Sequence, residues 1–270
     1  MQALVKTRPG HGHVEIRDVP IREPGPRELL IRVKYCGICG TDLHIEADEF
    51  PNDPPVIMGH EYCGTVIAVG ENVRDAWSVG DRVVGEVNTE SCGECAFCRA
   101  GQTHICAAKR PLGSRHDGAF AEYLTLPAGL AHLVPEGVPW EVAGITEPLA
   151  ITAHALLERG GLGRTGRALP AAVLITGAAT IGLLATVWAR RMGVPEIVVA
   201  GTDLDDPLRL DLARQMGATH VLNVQREDLG RAVMERTGGQ GVEMWVECSG
   251  AGAAIASGLE LVRKTGRVVL

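Results

Sequence analysis

No apolar run in this sequence reaches the ~18 residues a membrane-spanning helix needs. The first residues, MQALVKTRPG, carry charge and no apolar stretch, so no secretory signal peptide is expected and a cytoplasmic location is. Positive charge is in short supply. Lys and Arg number 26 against 33 Asp and Glu, a net charge of −7, which argues against nucleic acid as a partner. Aromatic residues make up only 4%, while glycines number 34, a balance that suits a fold with many tight turns. The 270 residues are enough for two domains. In a reducing compartment the eight cysteines are expected as thiols or metal ligands rather than disulfides.

Half of those cysteines lie in one stretch, SCGECAFCRAGQTHIC, which carries Cys92, Cys95, Cys98 and Cys106. Three thiols two residues apart can converge on one ion if the backbone loops tightly, and Gly93 and Gly101 help it bend. The fourth thiol completes a tetrahedron and leaves no position for substrate, as in a structural zinc site. A bacterial ferredoxin run would place its last cysteine sooner and follow it with proline, whereas Ala107 follows Cys106. Disulfides are the plain alternative. A zinc ribbon reading nucleic acid would want a basic surface.

A four-thiolate site does no chemistry, so the reacting centre is sought elsewhere. Cys39, in YCGICGTDLH, and the adjacent His60 and Glu61 offer a sulfur, an imidazole and a carboxylate. A catalytic zinc typically takes three protein ligands and a replaceable water. Neighbouring residues of a strand point to opposite faces, so His60 and Glu61 can share an ion only from a bend, which Gly59 permits. Cys36 and Cys39 also read as a CxxC dithiol. That alternative needs Cys39 free, and Cys36 ends an apolar strand where buried packing is expected. Asp42 is expected to cap a short helix beginning after Cys39. The acidic run EADE at 46–49 reads as a solvated face.

Taken together, Gly59-His60-Glu61-x2-Gly64-x5-Gly70-x2-Val73 resembles the zinc signature of the medium-chain dehydrogenases. CGTDLH, VGDRV at 79–83, GAFAEY at 118–123 and TEPLA resemble other segments of the family, nearest its polyol, sorbitol and threonine dehydrogenase branch. The likeness runs from residue 1 to residue 270. It implies that Cys39, His60 and Glu61 bind a catalytic zinc, with Glu147 as a fourth ligand or one water away, and that the four-cysteine loop holds a structural zinc. Near a helix start, Glu147 could equally be a carboxylate favoured by the dipole. The likeness also implies that Asp42 hydrogen-bonds the zinc-bound imidazole of His60, and that Thr41 and His44 relay the substrate's proton to solvent. The plain alternatives are a capping threonine and a solvated histidine. The implied fold is a β-rich, GroES-like catalytic barrel over 1–150 followed by a dinucleotide-binding domain over 151–270.

The residues of the second half read the same way. AAVLIT, EIVVA, HVLNV, GVEMWVECSG and GRVVL are strands with helices between them, which predicts a doubly wound parallel Rossmann sheet. The first turn is TGAATIG. Gly177 and Gly182 match the outer glycines of G-x-G-x-x-G, Ala179 stands at the middle one, and Thr180 and Ile181 open the helix. The added methyl group is expected to push a pyrophosphate away, although the helix N-terminus remains an anion site. Asp203 lies twenty-one residues after Gly182, where an acid binds the adenosine ribose, so NAD is expected ahead of NADP. The loop GGLGRTGRALP has two arginines, Arg164 and Arg167, with no role beyond solubility.

GRVVL is expected to be the fifth strand of a sheet that in the family has six, with a return segment after it. The expected function is oxidation of a secondary alcohol, a polyol or similar small hydroxy compound, by hydride transfer to NAD(P). Zinc would be present as one catalytic and one structural ion, and the full-length protein would form a homo-oligomer. Two alternatives stand beside this reading: a zinc-free quinone or enoyl reductase, and a non-catalytic, zinc-stabilised fragment.

Overall fold

The computed structural model describes all 270 residues. The chain divides into two compact units, Met1–Glu147 and Pro148–Leu270.

The first unit contains, in order, β1 (Gln2–Lys6), β2 (Val14–Asp18), β3 (Glu28–Gly37), α1 (Gly40–Glu46), β4 (Val56–Ile57), β5 (Glu61–Val69), β6 (Arg82–Gly85), α2 (Ala96–Arg99), β7 (Tyr123–Pro127), β8 (Ala131–Leu133), α3 (Trp140–Ala143) and the start of α4 (Thr146–Ala153). Five strands form an antiparallel sheet in the order β7-β3-β5-β6-β8. A second sheet has the order β2-β1-β4. Period-two patterning explains the larger sheet. Leu29 and Ile31 of β3 and Leu124 and Leu126 of β7 are buried in one cluster with Val66 and Val83. Each such side chain removed from water contributes about 1.5–3 kcal/mol before chain entropy is counted.

Two features of this unit escaped the sequence. Lys6 is fully buried, and its ammonium donates to the backbone carbonyls of Gly10, Gly12 and Glu46. Those three acceptors offset the desolvation of a charge and tie β1 to the C-terminal end of α1. Asp48 is more than part of a solvated acidic face. It adopts a positive φ of 62°, accepts the Gly10 amide at 2.8 Å and lies 3.9 Å from the Lys6 ammonium. The expectation failed because the partners lie some forty residues away.

In the second unit the rest of α4 continues as a π-helical segment, His154–Arg159. Then come β9 (Ala172–Thr176), α5 (Thr180–Arg191), β10 (Glu196–Gly201), α6 (Leu208–Gln215), β11 (His220–Asn223), α7 (Leu229–Arg236), β12 (Val242–Glu247), α8 (Gly252–Leu261) and β13 (Val262–Val269). The five strands are parallel, in the order β11-β10-β9-β12-β13. Numbered within the unit this is 3-2-1-4-5, the order of a doubly wound nucleotide-binding sheet. β9 is central, and all five of its residues are buried, which accounts for its unbroken apolar run. Trp245 of β12 is fully buried, and its indole donates to Thr176 Oγ1 at 2.9 Å. Gly258 lets α8 lie against that ring, since a Cβ there would collide with it. No helix is long and apolar enough to cross a membrane.

Candidate active site

Cys39, His60 and Glu61 come together although twenty residues separate the first from the second. One ligand atom from each lies within 4.8 Å of the others. Cys39 is delivered at the N-cap of α1, directly after β3. His60 precedes β5 and Glu61 opens it. The bend expected at Gly59 is present, with φ at 88°, and a Cβ there would meet the Phe120 ring at 2.7 Å. Gly37, paired with Glu61 across β3 and β5, has a second duty: a Cβ at Gly37 would collide with the Glu61 carboxylate. The glycine before Cys39 in the chain thus clears space for a residue on the neighbouring strand.

The electrostatics of this cluster suit a cation. Glu61 is buried. Asp42 is 3% exposed; its Oδ2 accepts the Cys39 amide at 2.8 Å, and its Oδ1 lies 3.6 Å from His60 Nδ1 with no hydrogen-bond partner of its own. Asp42 therefore caps α1 from its third position, reaching back to the N-cap residue. The same carboxylate faces the imidazole just beyond hydrogen-bond range. Burial opposes an imidazolium, but the Asp42 carboxylate and the Cys39 sulfur outweigh it and raise His60 to about 10. With Nδ1 turned to Asp42, Nε2 is the nitrogen left for a metal. A sulfur, a nitrogen and a carboxylate oxygen on one ion match the three-ligand set of a zinc that keeps a position for substrate.

Glu147 is outside this trio. It is half-buried at the start of α4, and burial raises its pKa; the His60 charge opposes that shift and Glu61 adds to it. Thr41 Oγ1 is 3.6 Å from Cys39 Sγ. His44 is exposed on α1, and its Nδ1 sits 2.8 Å from Glu49 Oε2. A cavity of about 520 Å³ beside the cluster is lined by Asp42, Met58, Phe120 and the exposed Ile38 and Leu43. A second cavity, about 640 Å³, is lined by Met1, Arg22, Arg110, His116 and Tyr123 among others and includes none of the candidate ligands.

Cys92, Cys95, Cys98 and Cys106 converge as well, with their sulfurs within 4.8 Å of one another. Cys92 Sγ is 3.8 Å from Cys98 Sγ and 3.6 Å from Cys106 Sγ. A tetrahedral ion with bonds of about 2.3 Å needs sulfurs about 3.8 Å apart. Backbone amides point at the sulfurs: Cys95 N to Cys92 Sγ at 3.3 Å and Cys98 N to Cys95 Sγ at 3.4 Å. These donors, the Cys95 amide foremost, pull the Cys92 thiol down to about 6, towards the thiolate a metal requires. All eight cysteines of the chain are free, and the CxxC pair Cys36 and Cys39 forms no disulfide. Cys36 is mostly buried, and burial pushes its thiol up to about 12.

In the second unit the candidate nucleotide residues gather at the C-terminal ends of β9 and β10. Gly177 has φ at 95°, and a Cβ on it would meet the backbone of Cys248 and Ser249 at 2.8 Å. Gly182 permits close passage of α5, since a Cβ there would strike the Gly177 carbonyl. Ala179 is the exposed N-cap of α5, and no side chain caps the first-turn amides, Thr180 and Ile181 included. A glycine-lined turn feeding an uncapped helix fits a pyrophosphate. Asp203 follows β10, half-exposed. Three acids lie close together here, Asp203, Asp205 and Asp206. Asp205 turns inward, is 8% exposed and closes the loop on Thr202 and Arg209. Asp203 receives its neighbours instead: Asn223 donates to its Oδ1 at 2.7 Å, Gln225 accepts its amide at 2.7 Å, and Arg226 pairs with Oδ1 at 2.7 Å. Asn223, Gln225 and Arg226 were missed because only the pairing of β10 with β11 brings them there.

Comparisons with known proteins identify the family of the chain. Residues 25–136 match the alcohol dehydrogenase GroES-like domain, and residues 180–270 match the zinc-binding dehydrogenase family. The chain is 37% identical over 271 residues to a sorbitol dehydrogenase of Halalkalibacterium halodurans, covering 99% of this chain and 75% of that protein. It is 42% identical over 275 residues to an L-threonine 3-dehydrogenase of Anaeromyxobacter sp., covering 100% of this chain and 76% of that one. Among solved structures, a zinc-binding dehydrogenase of Sinorhizobium meliloti 1021 bound to NADP superposes with a TM-score of 0.89 at 33% identity, over 99% of this chain and 75% of that one.

Proposed function

The chain belongs to the zinc-binding dehydrogenase family, and on that premise we propose that it oxidises a secondary alcohol, with Cys39, His60 and Glu61 holding the catalytic zinc. The observation that carries this reading is the convergence of those three unlike ligand atoms within 4.8 Å, two of them on buried residues. The substrate class is a polyol or a small hydroxy compound, in keeping with the sorbitol and threonine dehydrogenases it resembles.

When bound, zinc supplies a Lewis acid that favours loss of the alcohol proton, and the nicotinamide accepts the hydride. The chain's residues do the rest. Asp42 fixes the His60 ring and raises its basicity while it holds Cys39 at the start of α1. Glu147 stands by as a further carboxylate, its pKa raised by burial. Thr41, beside Cys39 Sγ, accepts the proton at its hydroxyl as it gives up its own, and His44, exposed three residues further along the same helix, takes a proton onto its imidazole and releases one to solvent. The turn 177–182 binds the pyrophosphate, and Asp203 binds the adenosine ribose, which favours NAD over NADP. Cys92, Cys95, Cys98 and Cys106 hold a second zinc that stabilises their loop and takes no part in the reaction.

A panel of secondary alcohols, each assayed with NAD and with NADP on zinc-loaded protein, tests the reading. NAD-linked turnover of a vicinal diol or hydroxy acid supports it. Saturable NAD binding with no turnover of any alcohol at full zinc occupancy contradicts it.

A further inference from the structure

Glu49 lies just past the C-terminal end of α1 and turns back onto it. Its amide donates to the His44 carbonyl at 2.8 Å, and the Phe50 amide donates to the same oxygen at 3.2 Å. Its carboxylate reaches the His44 ring, with Oε2 2.8 Å from Nδ1. Main chain and side chain thus tie the same two residues together. The turn that allows this is itself held. Asp48, at a φ of 62°, accepts the Gly10 amide at 2.8 Å and an N–H of the Asn52 side chain at 3.3 Å. The buried Lys6 ammonium donates to the Glu46 carbonyl at 3.0 Å. None of these contacts touches the ring. Glu46 lies 3.7 Å from His11 and Asp48 lies 3.9 Å from Lys6, so Glu49 is the carboxylate that faces His44. A carboxylate can only accept, so Nδ1 donates and carries the hydrogen of the neutral imidazole. Nε2 keeps its lone pair.

We propose that Glu49 is a positioning residue for the proton exit: it holds His44 in the Nδ1–H form, so that Nε2 is the nitrogen that takes the proton. This rests on the relay reading of Thr41 and His44. The step balances on a single proton. Nε2 accepts the proton that Thr41 gives up, and the imidazolium stands beside the Glu49 carboxylate. The same nitrogen then gives the proton to water or buffer, which restores the Nδ1–H form, and Glu49 keeps its charge throughout. The side chains are 61% exposed for His44 and 65% for Glu49, which suits an exit, since the ring meets solvent. That exposure also limits what the pair is worth, so its loss should slow turnover a few-fold and leave the fold intact.

Proton–nitrogen correlation spectra of the zinc-loaded chain, recorded at alkaline pH where the imidazoles are neutral, read the tautomer of each ring. His44→Ala assigns the signal. Wild type should show His44 in the Nδ1–H form. Glu49→Ala should shift it to a mixture of tautomers, whereas Glu49→Gln, whose amide oxygen still accepts, should keep it. With the best alcohol of the panel at low buffer, Glu49→Ala should lower kcat by roughly two- to fivefold and leave KM unchanged. Concentrated HEPES should restore that rate, because buffer can take the proton in place of the ring. His44→Ala should lose roughly 100-fold. An Nε2–H form in wild type, or an unchanged tautomer in Glu49→Ala, overturns the proposal and leaves the relay reading standing. A wild-type kcat in His44→Ala removes the relay and the proposal with it. Absence of turnover in every variant at full zinc occupancy contradicts the proposed function, and the tautomer result then decides whether Glu49 sets the ring.

Discussion

Asp42 meets Cys39 and His60 with its two oxygens: Oδ2 takes the Cys39 amide at 2.8 Å, and Oδ1 stands 3.6 Å from His60 Nδ1. One buried carboxylate thus sets the start of a helix and faces the ring of the residue just before β5. Asp42→Asn keeps the shape and removes the charge. It should weaken zinc binding at the Cys39 site by roughly 10–100-fold, the usual cost of losing a group behind a metal ligand. Competition with a chelator measures this, and the four-cysteine site of the same variant should keep its zinc.

Gly37→Ala is a milder change on paper and should be as damaging. The new Cβ collides with the Glu61 carboxylate, so that side chain must rotate away from Cys39 and His60. We expect a folded protein carrying one zinc per chain instead of two. Two zinc ions in the variant would mean that the Glu61 carboxylate tolerates the shift.

The four-cysteine loop should respond differently. Cys98→Ser removes a thiolate from the set whose sulfurs all lie within 4.8 Å of one another. Loss of that zinc should expose residues 91–107 to protease while the Cys39 site keeps its metal. Protection equal to wild type after removal of the zinc would show that the loop does not depend on it.

Ala179 presents a trade between stability and binding. It caps α5 without a side-chain acceptor. Ala179→Asp should stabilise the chain by about 1 kcal/mol through the missing cap. The same carboxylate would occupy the place of the pyrophosphate, so NAD binding should fall to the limit of detection. A rise in melting temperature with unchanged NAD affinity would remove the turn 177–182 from the cofactor site.

Local patterns in the chain carried much of this. The alternation EYCGTVIAV matches β5 from Glu61 to Val69, and the cysteine spacing placed four sulfurs together because the loop is short. The unbroken apolar run of β9 and the glycine turn after it gave the parallel sheet. What stayed hidden depends on strand neighbours. Gly37 clears Glu61 only through the β3–β5 register, and Arg226 reaches Asp203 only through β10 and β11. Lys6 looks like any surface lysine until three carbonyls from distant turns close over it. The site of Cys39, His60 and Glu61 was legible through the likeness of its motif, since residue types alone left each of the three an ordinary side chain.

Anomalous diffraction at the zinc edge from crystals of the zinc-loaded chain tests the central claim most directly. The account predicts a peak about 2.0–2.3 Å from Cys39 Sγ, His60 Nε2 and a Glu61 oxygen, separate from the one inside the four cysteines. A single peak at the cysteine loop, with nothing at Cys39, His60 and Glu61 under excess zinc, would contradict it.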